Sequence, residues 1–299
     1  MASPAVTAFA LPSEAELQSF SRVAAHLLTE QQRRAVGSRI VRRTAGIGIQ
    51  HLDHRDYVPG DEVRHIDWRQ TARRRRPIVR RFESESASDW TILLDASSSM
   101  LVQAAAKWHA ASLVAAAMSY ALLELGHRVA QVAFGTGIVA ECQRGRGQHH
   151  YPAIVRVLTR IRPARAGECS DLGACARRLH DGPAALVISD FLGHDQMRGG
   201  LAAVLERCRS LHAIQVSDPR ETNLACTGDV DLVDVETGLR MPIRADEGAS
   251  AAAAAERGAM TQRLRSFCTR SGIAFTDWSV PQPWQQMLVS HLVQARSMC

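Results

Sequence analysis

One short stretch constrains the fold of this chain more than any other. The apolar run at residues 91–94 ends abruptly on Asp95, and Ser97 and Ser99 follow at alternate positions. Four successive apolar or β-branched residues predict a central parallel strand that helices cover on both faces. Asp95 then lies at the carboxyl end of that strand, where open α/β sheets place their ligand sites. The stretch therefore predicts a buried central strand that runs into a ligand-binding loop. The strand-helix order that repeats after it predicts an α/β fold with a doubly wound, mostly parallel sheet.

The spacing D-x-S-x-S also has a chemical use, because it places one carboxylate and two hydroxyls in a single short loop. Hard cations such as Mg²⁺ prefer oxygen ligands and keep some of their water. Serines are equally common as helix caps, and a helix is expected to begin near Leu101. On this stretch alone both interpretations stay open, with helix capping slightly ahead.

Two later stretches carry oxygen ligands at comparable positions. Residues 184–189 form a second apolar strand that runs into Asp190, and Ser170-Asp171 opens another helix. Together the three stretches resemble the von Willebrand factor A fold and its metal-ion-dependent adhesion site, built from D-x-S-x-S, a Thr and an Asp on three loops. Ser170 stands where the family usually has Thr, which keeps the hydroxyl. The resemblance implies Mg²⁺, or another divalent cation such as Mn²⁺ or Ca²⁺, bound by Asp95, Ser97, Ser99, Ser170 and Asp190.

A second signature precedes this domain, from Arg55 to Arg73, and reads RDYVPGDEVRHIDWRQTAR. It resembles the R-x-Y-x-P-G-D-D-x-R-x-I-D-W-x-x-x-A-R signature of a bacterial family known only as domain of unknown function 58, with Glu62 in place of the usual second Asp. Members of that family carry this module directly before a von Willebrand factor A-like domain. We therefore expect a helix plus a strand-rich, arginine-rich module over residues 1–86, and the metal-binding domain over residues 87–299.

Hydrophobic periodicity predicts the remaining elements. The expected helices cover residues 14–31, 103–125, 152–160, 171–180, 200–209, 249–269 and 284–293. Further strands are expected at residues 212–216 and 272–278. A turn at residues 135–137 predicts a hairpin that adds an antiparallel edge strand to the sheet, as in the von Willebrand factor A fold. A second hairpin is expected over residues 229–243.

Charge and composition narrow the choice of partners. The formal charge of +6 comes almost wholly from arginine, and Lys107 is the only lysine. The arginines at 73–76 and 80–81 could grip phosphates, but no aromatic side chains are interleaved for base stacking. Glu83 and Glu85 can neutralise part of this charge. Nucleic acid is therefore not expected as the main partner, and binding through the arginine-rich module stays a weaker alternative.

Cysteine usage and hydropathy indicate the compartment. The seven cysteines are scattered and form no C-x-x-C pair, which is typical of reduced thiols. Residues 1–11 lack a basic leader, and no stretch approaches the roughly 18 apolar residues of a membrane span. We expect a cytoplasmic protein.

The candidate site favours binding over catalysis. A hydrolase needs a nucleophile beside a base, or a paired acid and base, and neither is evident beside Asp95. Phosphotransferases of the haloacid dehalogenase type need a second acid two residues after the strand-end Asp, where this chain has Ser97. A metal-dependent phosphotransferase or hydrolase stays the alternative.

The resemblance also implies a partner. Members of the domain of unknown function 58 family are typically encoded beside MoxR-type AAA+ ATPases and are thought to act with them in maturing or remodelling other proteins. This chain has no G-x-x-x-x-G-K-[ST] motif, so ATP hydrolysis is expected from the partner. The expected protein is a non-enzymatic interaction module, whose surface loop at Asp95 binds an acidic residue of the ATPase or of a client through the cation.

Overall fold

The computed structural model describes residues 11–38, 50–57, 66–74, 76–83, 89–161, 170–179, 182–222, 227–235 and 238–297. The helices are α1 (Glu14–Ser38), α2 (Trp68–Arg74), α3 (Val102–Glu124), α4 (Tyr151–Arg160), α5 (Leu172–Ala176), α6 (His194–Arg207), α7 (Glu247–Arg270) and α8 (Trp284–Ser297). The strands are β1 (Gln50–Asp56), β2 (Ile78–Glu83), β3 (Asp89–Asp95), β4 (Arg128–Phe134), β5 (Ile138–Arg146), β6 (Ala184–Ser189), β7 (Ser210–Ser217), β8 (Gly228–Val233), β9 (Arg240–Ala245) and β10 (Ala274–Ser279). Short 3₁₀ turns follow β3 and β7 at Ser98–Leu101 and Pro219–Glu221.

A six-stranded sheet with the order β10-β7-β6-β3-β4-β5 organises most of these elements. Neighbouring strands run parallel except β4 and β5, which form the antiparallel hairpin at one edge. This confirms the α/β class, the mostly parallel sheet and the antiparallel edge strand that the resemblance implied. The second expected hairpin, β8 with β9, forms a separate two-stranded sheet. Residues 236–237 of its turn lie outside the described residues.

The central strand β3 is buried on both faces, as its sequence predicts. Ile92 and Leu94 belong to a core with α1, α3 and α8. Leu93 faces a second core that is formed with α5, α6 and α7. Because helices cover both faces, the carboxyl edge of the sheet is the place where the chain can gather polar side chains.

The described residues divide into two compact units. The smaller contains β1, α2 and β2, and the larger contains α1 and every element from β3 onward. The sequence analysis grouped α1 with residues 1–86, but the apolar face of α1 belongs to the core of the larger unit. There the ring of Phe20 meets that of Trp284 edge to face, with centroids 5.5 Å apart. Periodicity shows that a helix has an apolar face, but not which element covers it.

Part of the arginine-rich signature has a local structural role. Asp67 caps α2, since its Oδ1 accepts hydrogen bonds from the backbone N–H groups of Arg69 and Gln70 at 3.0 and 3.1 Å. The sequence analysis predicted only strands here, because the signature has no long helical period. Residues 58–65, which include the Pro59-Gly60-Asp61 core of the signature, lie outside the described residues.

Helix α6 begins at His194, earlier than the start near Gly200 that the sequence predicted. Gly200 lies inside the helix and not at its start. A Cβ on Gly200 would lie 2.7 Å from the Cβ of Leu172, so glycine allows α5 and α6 to approach closely. The prediction of the boundary was wrong because the glycine serves packing.

The structure bears on two expectations from the sequence, namely the absence of a membrane span and the presence of reduced cysteines. Among the described helices, none combines the length and the apolar character that crossing a membrane requires. The cysteines in the described part of the chain are free thiols, namely Cys142, Cys175, Cys208 and Cys268.

Candidate functional site

Asp95 is the last residue of β3 and lies at the carboxyl edge of the sheet. Its side chain is buried, and both carboxylate oxygens accept hydrogen bonds. Ser170 Oγ donates to Oδ1 at 2.8 Å, and Ser189 Oγ donates to Oδ2 at 2.6 Å. The backbone N–H of Ser97 also donates to Oδ1, at 2.9 Å. Three separate segments therefore converge on one carboxylate.

The two outer serines of D-x-S-x-S lie side by side. The Oγ atoms of Ser97 and Ser99 are 3.0 Å apart, and both side chains are buried. Ser97 precedes the 3₁₀ turn without making a side-chain capping hydrogen bond. Helix capping, which the sequence left open, is therefore not what Ser97 does here. Ser98 points elsewhere and donates to the carbonyl oxygen of Val235 at 2.9 Å, which ties the loop to the β8–β9 hairpin.

Asp190 directly follows β6 and is fully buried. Its Oδ1 accepts a hydrogen bond from the backbone N–H of Leu192 at 3.2 Å, and its Oδ2 accepts one from Lys107 Nζ at 2.6 Å. The next residue, Phe191, has a φ of 52°, in the left-handed region that non-glycine residues rarely adopt. Such strain persists only where the surrounding structure enforces it, and it clusters at functional loops.

Sequence analysis missed three residues that complete this cluster. Ser189 is the last residue of β6, and its hydroxyl donates to Asp95. The sequence signal that could have revealed it is a hydroxyl residue at the end of an apolar strand. Lys107 lies near the start of α3, where a lysine among alanines was visible in the sequence but was counted only as composition. Glu221 lies in the turn after β7, and its Oε1 is 2.5 Å from Lys107 Nζ. No local pattern marks Glu221, because its partner is far away in the sequence.

The electrostatics of the edge are dominated by buried carboxylates. Burial, together with the nearby Asp190 carboxylate, raises the pKa of Asp95 to about 6, while the hydrogen bonds that Asp95 accepts oppose this shift. Burial also raises the pKa of Glu221, and the Lys107 ammonium opposes it. When these groups are ionised, three carboxylates and one ammonium leave a formal charge of −2.

The donor atoms suit a hard divalent cation. An octahedral Mg²⁺ with metal–oxygen distances of about 2.1 Å has neighbouring ligand oxygens about 3.0 Å apart. The separation of 3.0 Å between the Ser97 and Ser99 hydroxyls matches that edge. In the described part of the chain, no group of three or more His, Cys, Asp or Glu side chains is placed to hold a metal ion. A cation at this edge would therefore depend on serine hydroxyls beside Asp95 and Asp190.

One expectation about the site was wrong. The sequence analysis placed the Asp95 loop at the surface, whereas all five predicted ligands are at most 5% exposed. The loop follows a central strand, and the segments carrying Ser170 and Ser189 close over its carboxylate.

Comparison with known proteins places the chain among relatives of unestablished function. It is 30% identical over 230 residues to Uncharacterized protein Mb1516 of Mycobacterium bovis and to Uncharacterized protein Rv1480 of Mycobacterium tuberculosis, which covers 74% of this chain and 72% of each relative. Among solved structures, it is similar to a conserved hypothetical protein BatB from Bacteroides thetaiotaomicron, with 16% identity, coverage of 70% of this chain and 99% of that chain, and a TM-score of 0.42. An aerotolerance-related membrane protein from Bacteroides fragilis gives 18% identity, 71% and 100% coverage, and a TM-score of 0.43. The model of the family described as protein of unknown function DUF58 matches residues 53–263, and this chain belongs to that family.

Proposed function

We propose that this protein is a non-enzymatic interaction module that holds a divalent cation, with Mg²⁺ as the foremost candidate. The proposed ligands are Asp95, Ser97, Ser99, Ser170 and Asp190. The observation that supports the proposal is that Ser170 Oγ and the Ser97 backbone N–H both donate to the buried Asp95 carboxylate, beside the paired hydroxyls of Ser97 and Ser99. The Asp190 carboxylate is near enough to help raise the pKa of Asp95. Buried carboxylates are costly without compensating positive charge, and Lys107 offsets only part of it.

The proposed role of the site is to recognise an acidic side chain. When bound, a divalent cation supplies a positive charge with a coordination position that a partner's carboxylate can fill. The resemblance to the domain of unknown function 58 family supports a MoxR-type AAA+ ATPase, or a client that it shares, as the partner. In this proposal the protein acts in the cytoplasm, in protein maturation or complex assembly.

Recognition needs the buried ligands to become accessible. The hydrogen bond from Ser98 to the Val235 carbonyl joins the D-x-S-x-S loop to the segment that directly follows β8. Release of this contact would free the loop on that side. We propose that the partner binds a state in which Ser98 and Val235 have separated.

The direct test is binding of the purified MoxR-type ATPase from the same organism, with Mg²⁺ and with chelator. A loss of binding in Asp95→Ala could come from loss of a metal ligand or from misfolding, because the buried Asp95 accepts three hydrogen bonds. Asp95→Asn keeps the side-chain shape and is the better variant, with Asp190→Asn as its companion. Asp195→Asn, on α6 with a side chain that is 96% exposed, is the matched control.

Binding should require the divalent cation, fall on chelation and fall in both site variants, while the control behaves as the parent does. A circular dichroism melt in chelator shows whether each variant is folded. A complex that forms equally well in chelator and with Asp95→Asn would show that recognition uses another surface.

A further inference from the structure

Lys107 is the only lysine of the chain, and its side chain is fully buried. Burying an ammonium is costly unless it is paired and hydrogen-bonded. Its Nζ lies 2.6 Å from Asp190 Oδ2 and 2.5 Å from Glu221 Oε1. A single positive charge on α3 therefore joins the carboxyl ends of β6 and β7, beside the candidate cation ligands.

Backbone strain accompanies both sides of the Lys107–Asp190 pair. Ala105, two residues before Lys107, has a φ of 60°, and Phe191, directly after Asp190, has a φ of 52°. Both angles lie in the left-handed region, which is unfavourable for residues other than glycine. The fold thus holds two strained positions next to the two charges, as functional sites often do.

We propose that Lys107 is a resident cation of the candidate site. Without metal, its ammonium neutralises Asp190 and Glu221 and keeps both carboxylates in place. It also weakens the binding of a divalent ion, because it engages Asp190 Oδ2 and repels a second positive charge nearby. The part of this inference that concerns a divalent ion rests on the proposed function.

Weak metal affinity has a consequence for the partner. If the ion binds poorly to the protein alone, a carboxylate supplied by the partner adds a ligand and stabilises the ion. Because such coupling is reciprocal, the ion strengthens partner binding by the same factor. Lys107 would thus make metal uptake and partner binding depend on each other.

A purely structural role for Lys107 gives a different expectation. An ion pair that only fastens α3 to the sheet would change thermal stability when removed, without increasing affinity for a metal. The affinity for Mn²⁺, measured by isothermal titration calorimetry on the full chain, separates these roles. Lys107→Met should bind Mn²⁺ about tenfold more tightly than the parent, or more. Lys107→Arg keeps the charge and should stay within about threefold of the parent.

A second variant controls for misfolding, because Lys107→Met removes the ammonium from the buried Asp190 and the partly buried Glu221. The double variant Lys107→Met/Glu221→Gln keeps the formal charge of the parent, since one carboxylate and one ammonium are removed together. Asp190 Oδ2 nevertheless loses its ammonium, so Mn²⁺ should bind about tenfold more tightly than in the parent. Glu221→Gln alone keeps the ammonium on Asp190 and should bind Mn²⁺ no better than the parent does.

The outcomes distinguish this inference from the proposed function. Tighter Mn²⁺ binding in the variants that lack the ammonium supports the inference, also where the parent alone binds no Mn²⁺ at millimolar concentration. The proposed function fails separately, if the ATPase binds the parent equally well in chelator. Parent binding that is not strengthened when the ammonium is removed overturns the inference and leaves the proposed function standing. Absence of Mn²⁺ binding in the parent and in every variant overturns the inference, whereas the proposed function is decided by ATPase binding with and without chelator.

Discussion

Ser189 and Asp95 join the ends of two neighbouring parallel strands through a hydrogen bond of 2.6 Å. Leu94 pairs with Ile188 in the sheet, so Asp95 and Ser189 are the next residues along their strands. The same Ser189 hydroxyl accepts a hydrogen bond from the backbone N–H of Phe191 at 2.8 Å. One side chain therefore fixes the carboxylate of Asp95 and the loop that carries Asp190.

Replacing Ser189 should destabilise the folded protein. Ser189→Ala removes the donor to a buried carboxylate oxygen, which typically costs about 1–3 kcal/mol. The free energy of unfolding from urea denaturation measures the loss. Ser112→Ala is the matched control, because Ser112 is also buried and its hydroxyl has no hydrogen-bond partner among the described residues. An equal loss in both variants would mean that the hydrogen bond to Asp95 contributes nothing specific.

Acid should destabilise the protein through a buried histidine pair. Nδ1 of His212 lies 3.1 Å from Nε2 of His291. Burial lowers the pKa of His212 to about 4, and burial together with His212 lowers the pKa of His291. Between an unfolded value of about 6.5 and the folded value, the unfolded chain binds protons that the folded protein does not, so stability falls as pH falls through this window.

Melting curves at about pH 7.5 and pH 5 test this expectation, with a loss on the order of 2 kcal/mol for His212 alone. His212→Gln should lose less stability on acidification than the parent does. Substitution of the exposed His26 by Gln should leave the acid sensitivity unchanged. Equal acid sensitivity in the parent and in His212→Gln would assign the effect to other groups. The raised pKa of Asp95 acts in the opposite direction, which is why the comparison uses the variant.

Gln131 should be replaceable with a gain in stability. It is fully buried in β4, and neither amide atom of its side chain has a hydrogen-bond partner among the described residues. Gln131→Met removes this buried polar group and should raise the free energy of unfolding by about 1 kcal/mol. Gln215→Met is the contrast, because the amide of Gln215 donates to the carbonyl oxygen of Asp190 at 3.2 Å. A loss of stability in Gln131→Met would indicate a buried water that bonds the amide.

The hairpin contact at Ser98 can be tested without a partner. Ser98→Ala removes the hydrogen bond to the Val235 carbonyl, so the β8–β9 hairpin should exchange its amide hydrogens faster. Hydrogen–deuterium exchange measured on peptides from residues 228–245 reports this change, while peptides from β6 serve as an internal reference. Affinity for the ATPase should rise if Ser98 and Val235 must separate before binding. Unchanged exchange, or a lower affinity, would argue against this gating role.

The elements that were predictable are those whose signal is local. The apolar run before Asp95 and the turn at residues 135–137 indicated the central strand and the antiparallel edge, because burial on two faces and hairpin turns leave short sequence patterns. The meeting of Ser170 with Asp95 was implied by the resemblance to the von Willebrand factor A fold, in which a second loop supplies a hydroxyl. Whether these residues bind a metal stays a prediction.

The missed features depend on residues that are distant in the sequence. Lys107 and Glu221 meet only after α3 and β7 are packed, and no spacing rule links positions so far apart. Burial of the Asp95 loop likewise depends on the segments of Ser170 and Ser189, which its own sequence does not describe. Both features therefore depend on packing between distant segments, which local sequence patterns do not record.

The placement of α1 bears on how the chain folds during synthesis. Because α1 packs on α3 and α8, the larger unit needs segments from both sides of the arginine-rich module before its core can close. In a chain emerging from the ribosome, the apolar face of α1 can be covered only in part, by α3, until α8 has been made. A truncated protein that begins at residue 87, the boundary expected from sequence, would leave the α1-binding faces of α3 and α8 exposed and prone to aggregation. Expression of the larger unit alone therefore calls for residues 11–38 to be kept and for the intervening segment to be replaced by a flexible linker.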